Sequence, residues 1–165
     1  MQVIYFSNGI TALIDTVLWF LIHMGMAVGM TKLPVQVFNE NFFIFRDFKW
    51  EKKGTFYDKL CKVTLWKNLI PDGAAWFHKG FAKKKLQKNN PEYFLRFAKE
   101  SCRGELTHWL VIFCSPLFFL FNPIWAGWIM VGYACTANLP CIIIQRYNRP
   151  RLKRVYEKRA YRNAL

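Results

Sequence analysis

The stretch LTHWLVIFCSPLFFLFNPIWAGWIMVGYACTANLPCIIIQ, residues 106–145, runs for 40 positions without an Asp, Glu, Lys or Arg. A helix crosses the hydrocarbon core of a bilayer with about 20 apolar residues, so this run is long enough for two crossings joined by a tight turn. FNPIW, residues 121–125, is the place for that turn, because Asn122-Pro123 disfavours helix and supplies turn chemistry. A second apolar stretch, about residues 10–30, is long enough for a third crossing and carries one ionisable acid, Asp15. It fits a span better than a signal peptide, since no Lys or Arg precedes it and no small-residue cleavage pattern follows. The expected fold class is an all-α integral membrane protein of one domain, 1–165, with transmembrane helices at about 10–30, 106–121 and 124–145.

Outside these runs the chain is basic. Of 165 residues, 53% are hydrophobic and 18% aromatic, yet the formal charge is +14. Residues 32–105 hold sixteen Lys/Arg against eight Asp/Glu, and residues 146–165 hold eight against one, so basic segments alternate with apolar ones. By the positive-inside rule both basic segments are cytoplasmic, which puts the N-terminus outside and the C-terminus inside a multi-pass cell-membrane protein. VQVFNENFFIFRDFKWEKKG, 35–54, mixes Phe with Lys, and TFYDKLCKVTLWK, 55–67, has apolar residues near helical spacing. Both read as amphipathic segments at the lipid headgroups. Nucleic-acid binding accounts for the charge but not for the apolar runs. Five cysteines without a CxxC read as reduced packing residues, and three scattered histidines argue against a structural zinc site. Gly25 and Gly29 form a small-xxx-small face that lets another helix approach, which leaves homo-oligomers open.

Two polar motifs flank the uncharged run. KNNPEYFLRFAKESC starts a helix, with Asn90 as cap and Pro91 at the first position, and nothing stops it before RGELTHW, 103–109. Pro116 is expected to bend that helix. Glu105 and His108 are three apart and share a helix face, where a carboxylate can orient an imidazole and make it a general base. Arg103 is offset by about 200° from Glu105 and serves a different group. At the far end, an irregularity is expected at Asn138 and Pro140, followed by QRYNRPRL, 145–152, and a basic tail helix. Arg146, Arg149 and Arg151 suit phosphates, and Gln145 and Asn148 suit an oxyanion. If the turn at Asn122 faces outward, both motifs lie at one depth. Asp15 and His23, on roughly one face of the first span, are further candidates. Asp72 sits in a Pro-Asp-Gly turn, while His78 and Lys83, Lys84 and Lys85 lie in a basic loop. There is no GxSxG elbow, no P-loop and no HxxxxD box.

RGELTHW followed by ANLPCIIIQRYNRPRL resembles the glycosyl-4,4'-diaponeurosporenoate acyltransferase family, membrane enzymes that esterify a glycosylated carotenoid acid. The similarity runs through FRDFKWEKKGTFY and WKNLIPDG and is strongest from Arg103 to Leu152. The resemblance implies an O-acyltransferase that moves a fatty acyl group from a thioester donor, acyl-CoA or acyl-carrier protein, to a sugar hydroxyl of a lipid-like acceptor in the membrane. It implies no bound cofactor and no metal. Carried over as catalytic are His108 and Glu105, and as substrate-binding Asp72, Arg103, Asn138, Gln145, Arg146, Asn148 and Arg149. Trp66 and Trp109 also match the family pattern. The rival readings are a non-catalytic membrane subunit and a lipid-binding accessory protein.

Overall fold

The computed structural model describes residues 2–39, 41–70 and 91–163. Among them every regular element is helical: α1 (Asn8–Lys32), α2 (Thr55–Cys61), α3 (Val63–Trp66), α4 (Pro91–Cys114) and α5 (Ile124–Asn163), with short 3₁₀ turns at Val35–Val37, Lys49–Gly54 and Ser115–Leu120. The chain divides into two units, Met1–Lys32 with Leu106–Pro140 and Leu33–Glu105 with Cys141–Leu165.

The first unit is built from the apolar runs. α1 and α5 are each long and apolar enough to cross a membrane, and only 17% and 22% of their apolar windows are buried. The core helix of a soluble globule would be mostly covered, so these exposed Leu, Val, Phe and Trp faces fit lipid. α4 runs through RGELTHW without a break, as its start signals require, and Pro116 ends the α geometry rather than bending it. Pro lacks the N–H for an i−4 bond but is tolerated in the first turn of a helix, here the 3₁₀ segment. The turn at 121–123 follows as expected.

Packing in this unit centres on Trp19. Its ring stacks on Phe118 at 4.4 Å, meets Tyr133 edge-on at 5.0 Å, and its N–H reaches the Met130 sulfur at 3.3 Å. Val111, Phe121 and Ala134 complete the cluster. The carbonyl of Leu120 accepts from the N–H groups of both Val3 and Ile4, at 2.8 and 2.9 Å, so the end of the 3₁₀ segment is satisfied. Around Gly25 and Gly29, by contrast, a Cβ would meet nothing within 4 Å, so the small-residue face packs against no helix among the described residues.

The second unit has two apolar clusters. Tyr93, Phe94 and Phe97 of α4 pack with Leu152, Val155 and Tyr156 of α5, and Tyr57 and Val63 pack with Tyr147. The 3.6-residue period of each helix brings these residues onto one face. Two expectations change here. α5 is a single helix of 40 residues that passes through Pro140 and Pro150. Each proline removes one backbone bond, a loss that membrane helices tolerate when neighbouring groups re-satisfy the freed carbonyl. Residues 55–67 do not form one amphipathic helix. They break at Lys62, which is left-handed at φ 47°, because the Asp58 carboxylate takes both the backbone N–H and the hydroxyl of Thr64, at 3.1 and 2.8 Å. A local side-chain bond of this kind competes with the helix ladder.

Gly54 is left-handed at φ 83°, and a Cβ there would lie 2.7 Å from Arg151 Nη1 and 2.9 Å from the Tyr147 carbonyl oxygen. Gly54→Ala is expected to lower the thermal midpoint of the detergent-solubilised protein, by the about 1–3 kcal/mol that such a strained residue costs plus the clash.

The Thr64 bonds hold Asp58 below the ordinary carboxylate range. A depressed folded pKa adds stability above the unfolded value of about 3.9 and loses it as pH falls through the folded value. Asp58→Asn should therefore melt earlier than wild type at pH 7, with the gap closing in scans carried down into the acid range.

Candidate active site

Glu105 lies in the second unit and His108 in the first. Each anchors its own constellation.

Glu105 is fully buried. Its Oε1 accepts from Arg146 Nε at 2.7 Å, and its Oε2 accepts from Arg149 Nη2. Arg146 also donates from Nη1 to Glu51 Oε1 at 2.8 Å and from Nη2 to the Ile44 carbonyl at 2.5 Å. Arg149 Nη1 donates to the Phe45 carbonyl at 2.5 Å. Glu51 accepts in addition from the Tyr57 hydroxyl and, at 2.7 Å, from the Phe48 backbone N–H. Burial and the adjacent Glu51 carboxylate push the Tyr57 phenol above its usual range, so its hydroxyl stays protonated and donates. Two carboxylates and two guanidiniums thus balance in a dry setting, flanked by the Phe48 and Phe45 rings. Burying each ion costs several kcal/mol, which this pairing offsets, although Arg149 Nε has no hydrogen-bond partner among the described residues.

This arrangement changes what the arginines do. Sequence spacing assigns Arg146 and Arg149 to substrate, but every nitrogen of Arg146, and both terminal nitrogens of Arg149, face protein acceptors. Arg103 likewise donates to Glu100 Oε2 at 2.5 Å and to the Leu33 carbonyl at 3.3 Å. Arg151 donates to the Tyr147 carbonyl at 2.8 Å and covers its ring at 3.6 Å. Gln145 and Asn148 are half-buried on α5 and make no hydrogen bond among the described residues. Trp66 donates to the Cys61 carbonyl at 2.6 Å, and the Trp109 ring lies 6.2 Å from that of Phe113. Asp72, His78, Asn90 and Lys83, Lys84 and Lys85 lie outside the described residues. Glu51 and Tyr57 were not legible as site residues. The only signal was an acid inside the lysine-rich KWEKKG.

In the first unit His108 Nδ1 lies 2.9 Å from Asn138 Oδ1, and Asn138 Nδ2 donates to the Ala134 carbonyl at 2.9 Å. With its NH₂ facing a carbonyl, the amide presents only an acceptor to the ring. Nδ1 therefore carries a proton directed at the amide oxygen. Asn138 is buried, so the orientation is fixed. The ring position from which an imidazole is oriented is thus occupied by Asn138, a residue that sequence reading places among the substrate contacts, while Glu105 gives both oxygens to arginines. Asp15, also buried, accepts at Oδ1 from Asn122 Nδ2 at 2.8 Å. His23 Nδ1 donates to the Trp19 carbonyl at 2.9 Å. Among the described residues no group of three or more His, Cys, Asp or Glu is placed to hold a metal ion, and all five cysteines are free thiols.

Glu105→Gln removes the charge that Arg149 and Arg146 share. Breaking a buried pair from one side costs about 3–5 kcal/mol, so this variant is expected to show a large drop in melting temperature. A melt unchanged from wild type would mean that the cluster is not held by charge.

The family model described as glycosyl-4,4'-diaponeurosporenoate acyltransferase matches residues 41–158. The chain is 33% identical over 151 residues to the protein of that name from Staphylococcus haemolyticus (strain JCSC1435), covering 92% of this chain and 88% of that one. It is also 33% identical over 156 residues to the one from Staphylococcus aureus (strain USA300), covering 93% and 94%. No solved structure matches the chain significantly. The matched segment contains Glu51, Glu105, His108, Asn138, Arg146 and Arg149, and the chain belongs to the glycosyl-4,4'-diaponeurosporenoate acyltransferase family of transferase enzymes.

Proposed function

We propose that this protein transfers a fatty acyl group from an acyl thioester to a sugar hydroxyl of a glycosylated carotenoid or closely related glycolipid, with His108 as general base. The observation that supports this reading is the His108–Asn138 pair, in which Nδ1 faces the amide oxygen, so that a neutral ring would have Nε2 as its basic nitrogen. A side-chain amide orienting a histidine in this way serves the same purpose as the Asn of Cys-His-Asn enzymes. Relatives named as acyltransferases supply the reaction class.

In the proposed step Nε2 takes the proton of the acceptor hydroxyl while its oxygen attacks the thioester carbonyl. The C–O bond forms, the tetrahedral intermediate collapses, the C–S bond breaks, and the leaving thiolate takes the proton back from the imidazolium. No cofactor is consumed, and the donor is acyl-CoA or an acyl-carrier protein. Glu105, Arg146 and Arg149 act as the buried framework of the basic unit, Arg103 braces its entry from residue 33, and Gln145 and Asn148 contact substrate, as does Asp72. The chain crosses the membrane three times, at about 10–30, 106–121 and 124–145. Its N-terminus is outside and its basic segments are cytoplasmic, where a soluble donor and a membrane acceptor can both arrive. Aromatic and basic residues of 35–67 lie at the headgroups.

For purified enzyme assayed with acyl-CoA and a glycosylated acceptor, His108→Ala is expected to lower kcat by about 10²- to 10⁴-fold. Asn138→Ala alone should cost less, and it should add little in the double variant, because the two residues act as one unit. Transfer at the wild-type rate by folded His108→Ala would remove the base. A wild-type protein that neither transfers nor exchanges acyl groups would instead favour a non-catalytic subunit or a lipid-binding accessory.

A further inference from the structure

The first unit has a cleft of about 590 Å³ that the chemistry above does not use. α1 lines it with Asp15, Trp19, Phe20 and His23, and α5 with Ile129 and Tyr133 among others. Asp15, Trp19 and His23 recur every four residues, so they form one stripe of α1, roughly 12 Å from end to end at 1.5 Å per residue. The volume falls within the range of small-molecule sites, and half of its eight lining residues carry rings. Trp19 and His23 lie 5.4 Å apart, Trp19 and Tyr133 5.0 Å, and His23 and Tyr133 6.2 Å.

We propose that this cleft holds the conjugated polyene chain of the acceptor and so selects it over saturated lipid. The inference rests on the acyl-transfer reading above. Three features of the cleft support it. Packed rings offer flat, polarisable faces that a planar conjugated chain covers better than a kinked saturated one. The cleft is on the unit that holds the His108–Asn138 pair, and Tyr133 precedes Asn138 by five residues, roughly 7.5 Å along α5. Five residues also turn the helix by about 140°, so a chain whose sugar sits at the imidazole passes around α5 to enter the cleft at the His23 and Tyr133 end. At the other end, no residue of α1 before Asp15 lines the cleft, and Asp15 is held by Asn122. A hydrocarbon gains nothing by packing past a carboxylate, so the cleft covers roughly 12 Å of the chain, from His23 to the Asp15–Asn122 pair, and the rest of the chain lies in lipid.

Ile129 is exposed enough to accept a larger side chain, and Ile129→Trp fills the cleft without adding charge. Enzyme in phospholipid nanodiscs is assayed with two acceptors bearing the same sugar, a glycosylated polyene acid and a short-chain alkyl glycoside. Ile129→Trp is expected to raise KM for the polyene acceptor by about tenfold or more while leaving kcat/KM for the short glycoside within about twofold, the signature of lost ground-state binding. Phe20→Leu, a milder change on a lipid-exposed position, should raise the polyene KM by about two- to threefold. Binding is read separately from the shift of the polyene absorption band on mixing with nanodiscs. The shift should persist in His108→Ala, vanish in Ile129→Trp, and be absent from nanodiscs without protein. If wild-type enzyme transfers to neither acceptor yet shifts the band and Ile129→Trp does not, the cleft assignment stands and the acyl-transfer reading fails. An unchanged polyene KM and band shift in folded Ile129→Trp overturns the proposal. So does a rise in KM for the acyl donor alone, which gives the cleft to the donor's chain.

Discussion

A polar side chain inside hydrocarbon has no water to turn to, and each one left unpaired costs several kcal/mol. The uncharged run 106–145 and the first apolar helix obey that constraint. Their polar groups form local pairs: Asp15 with Asn122, His23 with the Trp19 carbonyl, and His108 with Asn138, which in turn bonds the Ala134 carbonyl. Two of these arrangements are satisfied by geometry alone. The third leaves an imidazole whose tautomer is dictated by its partner, and a fixed tautomer is what acid–base chemistry needs from a histidine. Structural economy and catalysis point to the same atoms.

The basic unit meets a related constraint with ions. Glu105 and Glu51 are buried, and each carboxylate is matched by guanidinium, phenol or backbone donors. A site for anionic substrate keeps its cationic groups available. Here most guanidinium nitrogens face protein oxygens, and Arg146 and Arg149 of QRYNRPRL join loop 44–54 to α5. Gly54 permits the close approach to Tyr147 and Arg151 that this assembly requires.

Much of this was legible in the chain because it depends on short-range rules. Length and lack of charge identified the two helices long and apolar enough to cross a membrane, α1 and α5, while the expected span at 106–121 is the end of α4 followed by a 3₁₀ segment; Asn122-Pro123 identified the turn, and Pro91 marked the start of α4. Continuity of that helix put Glu105 and His108 on one element. The features that were not legible depend on partners distant in sequence. Asp15 meets Asn122 across 107 positions, Arg146 meets Glu51 across 95, and His108 meets Asn138 across 30. Glu105 and His108 were read as a pair because they are near neighbours on a helix, whereas the donors and acceptors that define each come from α5. Breakers were misjudged in both directions. Pro140 does not interrupt α5, while an ordinary lysine, Lys62, ends α2 because Asp58 captures Thr64.

The central claim is that one imidazole, held by an amide, removes the proton of the acceptor hydroxyl. The pH dependence of kcat/KM tests it most directly, measured side by side for wild type and His108→Gln. Wild type should show an acid limb that rises as a single group loses its proton in the imidazole range, and the substituted enzyme should show a residual rate with that limb gone. The same limb at the same height in both proteins would contradict the account.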